Sequence, residues 1–172
     1  MRSLLKTILL SFSIQSVSVG QQVFVDHLGT YDTGLFDVDA AEIVTYDKVT
    51  GYMFFVNSEN NEISAVDISD PESPQEVYTI GGDDIIVGGE ANSVDVFEGV
   101  VAVAVQSPIV DEPGQIAFYN STSGTLIESI TVGIMPDAVS FSADGSKVIS
   151  SCLLYTSPSP RDVEESRMPS SA

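Results

Sequence analysis

Three polar residues stand at the same place in a pattern that the chain repeats: Glu42, Asn92 and Asp137. Each opens a run of alternating apolar positions, E-I-V-T-Y at 42, N-S-V-D-V at 92 and D-A-V-S-F at 137, and the starts lie 50 and 45 residues apart. Carboxylate and amide oxygens brought together from successive repeats are ligands for a hard cation such as Ca2+, which takes roughly six to eight oxygens. Asp37 and Asp39, just upstream in D-V-D-A-A-E, would add two carboxylates to that set. The spacing matches no EF-hand loop. The simpler reading is that these residues cap strands and line a wet channel.

Other constellations are poorer. Asp83, Asp84 and Glu90 lie in the glycine-rich connection G-G-D-D-I-I-V-G-G-E, and Asp111 and Glu112 precede Pro113-Gly114, both of which read as solvated turns. His27 is the only histidine, no G-x-S-x-G elbow surrounds a serine, and no zinc or Walker spacing occurs. No catalytic residue can be named. A phosphatase using carboxylate-bound metal ions would need residues beyond these.

The elements that would position the three polar residues are short strands. After each opening run the chain turns at a glycine (Gly51, Gly99, Gly145) and enters a second apolar run. In the first repeat the strands read as Glu42 to Tyr46, Tyr52 to Asn57, Glu62 to Ile68 and Glu76 to Ile80. In the second they read as Ser93 to Phe97, Val100 to Val105, Gln115 to Asn120 and Thr125 to Val132, and a third repeat begins at Ala138 and starts its next strand at Lys147. Four short strands per repeat of this length are the signature of a β-propeller blade. The expected fold is all-β, about two and a half blades of a larger ring, with Glu42, Asn92 and Asp137 near one mouth of its central channel.

Charge narrows the partners. From residue 21 to 150 only Lys48 and Lys147 are basic, against 22 Asp and Glu. Nucleic acid, which needs cationic side chains to displace its counterions, is excluded as a partner, as is an anionic membrane surface. Cations, basic proteins, matrix components or a mineral phase fit the sign. Acidity of this kind also simply keeps a secreted protein soluble.

The two ends differ from the middle. Arg2 and Lys6, an apolar stretch from Ile8 to Ile14 and small residues ending at Gly20 have the three-part layout of a secretory signal peptide, with cleavage before Gln21. The apolar stretch is too short for a membrane-spanning helix. Residues from Gln21 to Thr30 read as one more strand. Ser151 to Ala172 has no alternation, is rich in Ser and Pro, interrupts a strand, and resembles a translated library adapter more than a native tail. Cys152, the single cysteine, lies inside it and supports no disulfide framework. Asn120-Ser121-Thr122 is an acceptor sequence for an N-linked glycan, beside a turn.

The segments G-T-Y-D-T-G-L-F-D-V-D-A-A-E-I-V-T-Y-D from Gly29, G-G-E-A-N-S-V-D-V from Gly88, P-G-Q-I-A-F-Y from Pro113 and V-G-I-M-P-D-A-V-S-F from Val132 together resemble the choice-of-anchor I family. The resemblance covers Val23 to about Ile149. It implies the N-terminal part of a YVTN/WD40-like, seven-bladed propeller, and a secreted or cell-surface setting. The family includes surface glycoproteins of biomineralising embryos and members described as alkaline-phosphatase-like. The resemblance therefore implies a non-enzymatic binding or matrix-associated role, with Ca2+ as a candidate ligand, and a metal-dependent phosphoester hydrolase as the alternative. The chain departs from the family pattern in lacking further blades and an anchoring region.

Overall fold

A computed structural model of the chain describes residues 25–35, 38 and 41–154. The signal-peptide reading, Asp37, Asp39 and the tail beyond Leu154 lie outside the described residues.

Among the described residues nine strands form two antiparallel sheets. The first sheet contains β1 (Val44–Asp47), β2 (Tyr52–Asn57), β3 (Glu62–Asp67) and β4 (Gln75–Gly81), in that spatial order. The second contains β5 (Glu90–Phe97), β6 (Val100–Gln106), β7 (Pro113–Asn120), β8 (Leu126–Phe141) and β9 (Val148–Leu154). Each four-strand meander is one blade, and the structure is a partial β-propeller. Among the described residues the only helical element is a 3-10 turn at Gly82–Asp84, so no helix there is long and apolar enough to cross a membrane.

Turn chemistry sets the strand lengths. Glu98 and Gly99 both have positive φ (44° and 87°) and link β5 to β6 in two residues, because a turn of this hand matches the twist of the strands it joins. The β8–β9 hairpin is tied by Asp144, which accepts from the Ser142 hydroxyl and from the Ser146 amide and hydroxyl. Those bonds hold its carboxyl down to about 2.

β8 departs from the sequence expectation. A break was expected between Val132 and Ala138, but the strand runs through sixteen residues and serves two blades. Its first half pairs with β7 and its second half with β9, and Ile134 pairs with both Pro113 and Leu154. The chain bends at Met135, where φ is 52°, and Pro136 sits beside a bulge, where a missing N–H costs no ladder bond. A second difference concerns residues 25–33, which form no strand. They lie against the first blade instead: the Tyr31 ring stands 5.9 Å from that of Phe55, and its hydroxyl donates to Glu76. Although β1 and β4 both end the sheet, residues 25–33 pair with neither. Finally, β9 continues through Ser151 to Leu154, beyond the point where the sequence pattern stops.

The main core lies between the two blades. Phe54, Val56, Ile63 and Ala65 of the first pack against Val94, Val101, Val103, Val105, Ala117 and Tyr119 of the second. On the other face of the second blade, Ala102, Ala104 and Ile116 meet Val139, with Phe118, Phe141 and Val148 around them. Alternation therefore fails in β6, VVAVAVQ, because both of its faces are covered. Gly145 (φ 68°) lies under the Phe97 ring, and a Cβ there would stand 2.1 Å from a ring carbon. Gly145→Ala is expected to lower unfolding stability by roughly 1–3 kcal/mol through combined strain and overpacking, measured by urea denaturation. An unchanged midpoint would mean that the Phe97–Phe141 contact at 5.9 Å is not fixed as described.

Candidate functional site

The repeated polar position is a β-bulge in all three blades. In the second, pairing passes from Ala91↔Val105 to Ser93↔Ala104 and leaves Asn92 as the extra residue. In the third it passes from Pro136↔Cys152 to Ala138↔Ser151 and leaves Asp137. In the first, the Glu42 amide donates to the Val56 carbonyl while the Val56 amide donates to Ile43, so Glu42 and Ile43 together face one residue. A bulge re-aims the side chain it carries, and here it does so at the same end of each inner strand.

The three side chains differ in what they hold. Glu42 is exposed and accepts from the Ser58 hydroxyl at 2.9 Å. Asn92 is half-buried, and its Nδ2 donates to Gln106 Oε1 at 2.9 Å and to the Pro136 carbonyl at 3.0 Å. Gln106 in turn donates to Glu90. Asp137 is exposed. The structure thus places Glu42, Asn92 and Asp137 on equivalent bulges. Among the described residues no group of three or more His, Cys, Asp or Glu is positioned to hold a metal ion.

The acidic loops act locally. Asp83 accepts from the Gly88 amide and Asp84 from the Gly81 amide, so both shape the turn they sit in. His27 Nε2 lies 3.1 Å from the Thr30 hydroxyl, in an exposed segment.

One residue that composition and spacing did not single out joins all three blades. Asp95, on β5, accepts from the Thr45 hydroxyl of β1 at 3.2 Å, from the Val96 amide at 2.8 Å and from the Phe141 amide of β8 at 2.7 Å. Two residues earlier Ser93 Oγ accepts from the Val139 amide at 3.2 Å. The amides of Val139 and Phe141 point away from β9, because Ser142 and its alternate neighbours make that ladder. Side chains of the second blade therefore satisfy the free inner edge of the third. A signal was present in the sequence: Thr45, Asp95 and Ser140 occupy one repeat position, and all are small and polar.

A second joint lies toward the outside. Asp47, 1 % exposed, accepts from the Val49 amide and the Thr50 hydroxyl. Burial alone would raise its pKa, but the Ser121 hydroxyl beside it and these turn donors outweigh burial and lower it. Ser121 Oγ itself is buried, and among the described residues it lies near the Asp47 carboxylate outside strict hydrogen-bond geometry. The Tyr78 hydroxyl of the first blade donates to the Ser121 carbonyl of the second, and Gly124 lies against the Tyr78 ring. Asn61, at φ 54°, clamps the interblade connection by accepting from the Ala91 amide and donating to the Gly89 carbonyl.

These meanders, joined at their inner strands and core-packed face to face, define a β-propeller repeat protein. The chain matches the choice-of-anchor I domain family over residues 42–152 and belongs to that family. Among solved structures it is similar to Kuenenia stuttgartiensis hydrazine synthase, at 16% identity and a TM-score of 0.51 over 72% of this chain. That likeness shows the fold alone, and the chain spans 33% of the length of that structure's chain. No curated protein matches it.

Two predictions follow from the joints. Asp95→Ala leaves the Phe141 and Val96 amides without their acceptor, and is expected to cost roughly 1–3 kcal/mol in denaturant melts. A neutral result would show that water replaces the carboxylate at no cost. Burial first, and then nearby Tyr52 and Asp47, push the Tyr78 hydroxyl up to about 12; burial and then Asp84 do the same for Tyr119. Both are neutral in the fold, so their contribution is complete below the ordinary tyrosine value near 10 and is lost as pH rises from there through about 12. Ultraviolet titration should find these two among the last of the six tyrosines to ionise, with unfolding in the same window. Ordinary titration of all six in the folded chain would contradict the buried Tyr78–Ser121 joint.

Proposed function

We propose that this chain is part of a secreted or cell-surface propeller with a non-enzymatic role, binding extracellular partners of positive charge: divalent cations, a mineral phase or basic matrix components. Membership of the choice-of-anchor I family over residues 42–152 supports the surface setting. The observation that carries the binding role is the polar bulge repeated in three blades, Glu42, Asn92 and Asp137, on a scaffold with 22 acidic and two basic residues between positions 21 and 150. Nδ2 of Asn92 is committed to two acceptors, so its carbonyl oxygen is the group left to offer a ligand. Glu42 and Asp137 contribute carboxylates that stay exposed. Oxygen donors of this type select hard cations over soft ones, with Ca2+ as the first ligand to test. Asp37 and Asp39 belong to the same proposed set.

Calcium titration of the purified chain by calorimetry at low and physiological salt tests this reading. Heat that persists at physiological salt and is weakened at least several-fold in a Glu42→Gln, Asp137→Asn double variant is the expected result. Heat that disappears with salt in both proteins would mean diffuse screening of a negative surface and no site at the bulges.

A further inference from the structure

A large apolar side chain exposed by itself needs no explanation, but three stand on two adjoining loops at the bulged end of the blades. Val87, in the connection from β4 to β5, is 89% exposed, and Ile109 and Val110, between β6 and β7, are 55% and 66% exposed. The loops adjoin where a Cβ on Gly88 would lie 3.4 Å from the Pro108 ring. Both belong to blades whose four strands are all described, so no missing strand of their own blades accounts for the exposure.

The tips are carried by built turns. Ile85 and Ile86 pack against the core between the blades, and Val87 follows them outward. The Gly88 amide donates to Asp83 at 2.8 Å and the Gly89 amide to the Ile86 carbonyl at 2.7 Å. In the second loop the Ile109 amide donates to the buried Ser107 hydroxyl at 3.1 Å, and the Glu112 amide to the Ile109 carbonyl at 3.0 Å. A contact made here has little backbone left to order.

Exposed carboxylates flank the tips along the chain: Asp83, Asp84, Glu90, Asp111 and Glu112. Lys48 and Lys147, the two Lys or Arg residues among the described residues, lie at the opposite end. Lys48 follows the Asp47↔Tyr52 pair and Lys147 precedes Val148, which pairs with Phe141, whereas Gly81 and Glu90 border the loops at the end where they pair with Glu62 and Gln106. An apolar centre inside a charged rim is the anatomy of a protein interface. A bare cation or a mineral takes oxygen ligands and has no use for the three apolar tips. Nor, among the described residues, are three acidic groups gathered closely enough to hold a metal ion.

We propose that these two loops dock a basic amphipathic polypeptide segment. Its apolar side chains cover Val87, Ile109 and Val110, and its Lys or Arg residues face the surrounding carboxylates, which fix orientation and exclude acidic partners. The proposal rests on the reading above that the acidic scaffold binds partners of positive charge, but it uses residues other than the bulges, so the two fail separately.

The probe is a short fluorescent peptide of alternating Lys and Leu, titrated by anisotropy with the purified full chain at physiological salt, beside a peptide of equal charge with Ser in place of Leu. The Leu peptide is expected to bind several-fold more tightly. Val87→Ser, and separately the pair Ile109→Ser and Val110→Ser, should remove most of that advantage, while Asp111→Asn with Glu112→Gln weakens both peptides. All of these side chains are exposed, so the urea midpoint of each variant is expected to match the native chain. Equal binding of the two peptides, or loop variants that bind as the native chain does, overturns the proposal. Loop-dependent peptide binding by a chain that gives no calcium heat supports the surface and overturns the bulge reading alone. Calcium heat without loop-dependent peptide binding overturns the surface alone.

Discussion

Every inner strand of a propeller has one edge with no neighbouring strand, and the backbone groups on that edge still need partners. In this chain the neighbouring blade's side chains supply them. Asp95 gathers donors from β1, β5 and β8, Ser93 accepts from the Val139 amide, and Asn92 donates a hydrogen bond to the Pro136 carbonyl. The apolar core between the blades contributes burial, which has no direction. These short polar bonds set the relative position of the inner strands, and with it the placement of the bulges at their ends.

The bulges show how structure and site are built from the same residues. A bulge interrupts the ladder and turns one side chain outward, and the chain spends this irregularity on a polar residue in each of three blades. Asn92 serves both ends, holding Pro136 with its nitrogen while its oxygen stays available. Gly114 answers it from the other side of Pro136, where a Cβ would come within 2.4 Å of the ring. Family membership places this arrangement in the choice-of-anchor I domain, and the likeness to a much longer structure shows the propeller fold alone.

Much of the fold was legible because blade strands carry two independent signals, apolar phase and turn residues. The Tyr52–Asn57 strand was read to the residue, and Gly51, Gly99 and Gly145 all have the positive φ their turns require. The continuity of β8 was hidden because the two alternating runs, ending at Val132 and beginning at Ala138, are out of phase across Gly133 to Asp137, where a bulge and one left-handed residue carry the strand through. Gln21 to Thr30 looked like a strand from Val23, Val25 and Leu28, and pattern cannot say whether the segment pairs with an edge or packs on a face. The alignment of Glu42, Asn92 and Asp137 was visible as repetition; that it marks a bulge was not, since an extra residue is defined only against its partner strand. Asp95 stayed hidden for a related reason. In S-V-D-V-F it occupies the polar phase, which normally faces water, and here that phase faces the next blade.

The most direct test of the central claim is amide hydrogen exchange at Phe141 and Val139, compared between the native chain and Asp95→Ala. Neither amide belongs to the β8–β9 ladder, so side chains of the second blade are their source of protection. The account predicts slow exchange at both in the native chain, and a selective acceleration at Phe141 in the variant while Ser140 in the ladder stays protected. Fast exchange at Phe141 in the native chain, or unchanged protection in the variant, would contradict the claim that Asp95 joins the blades.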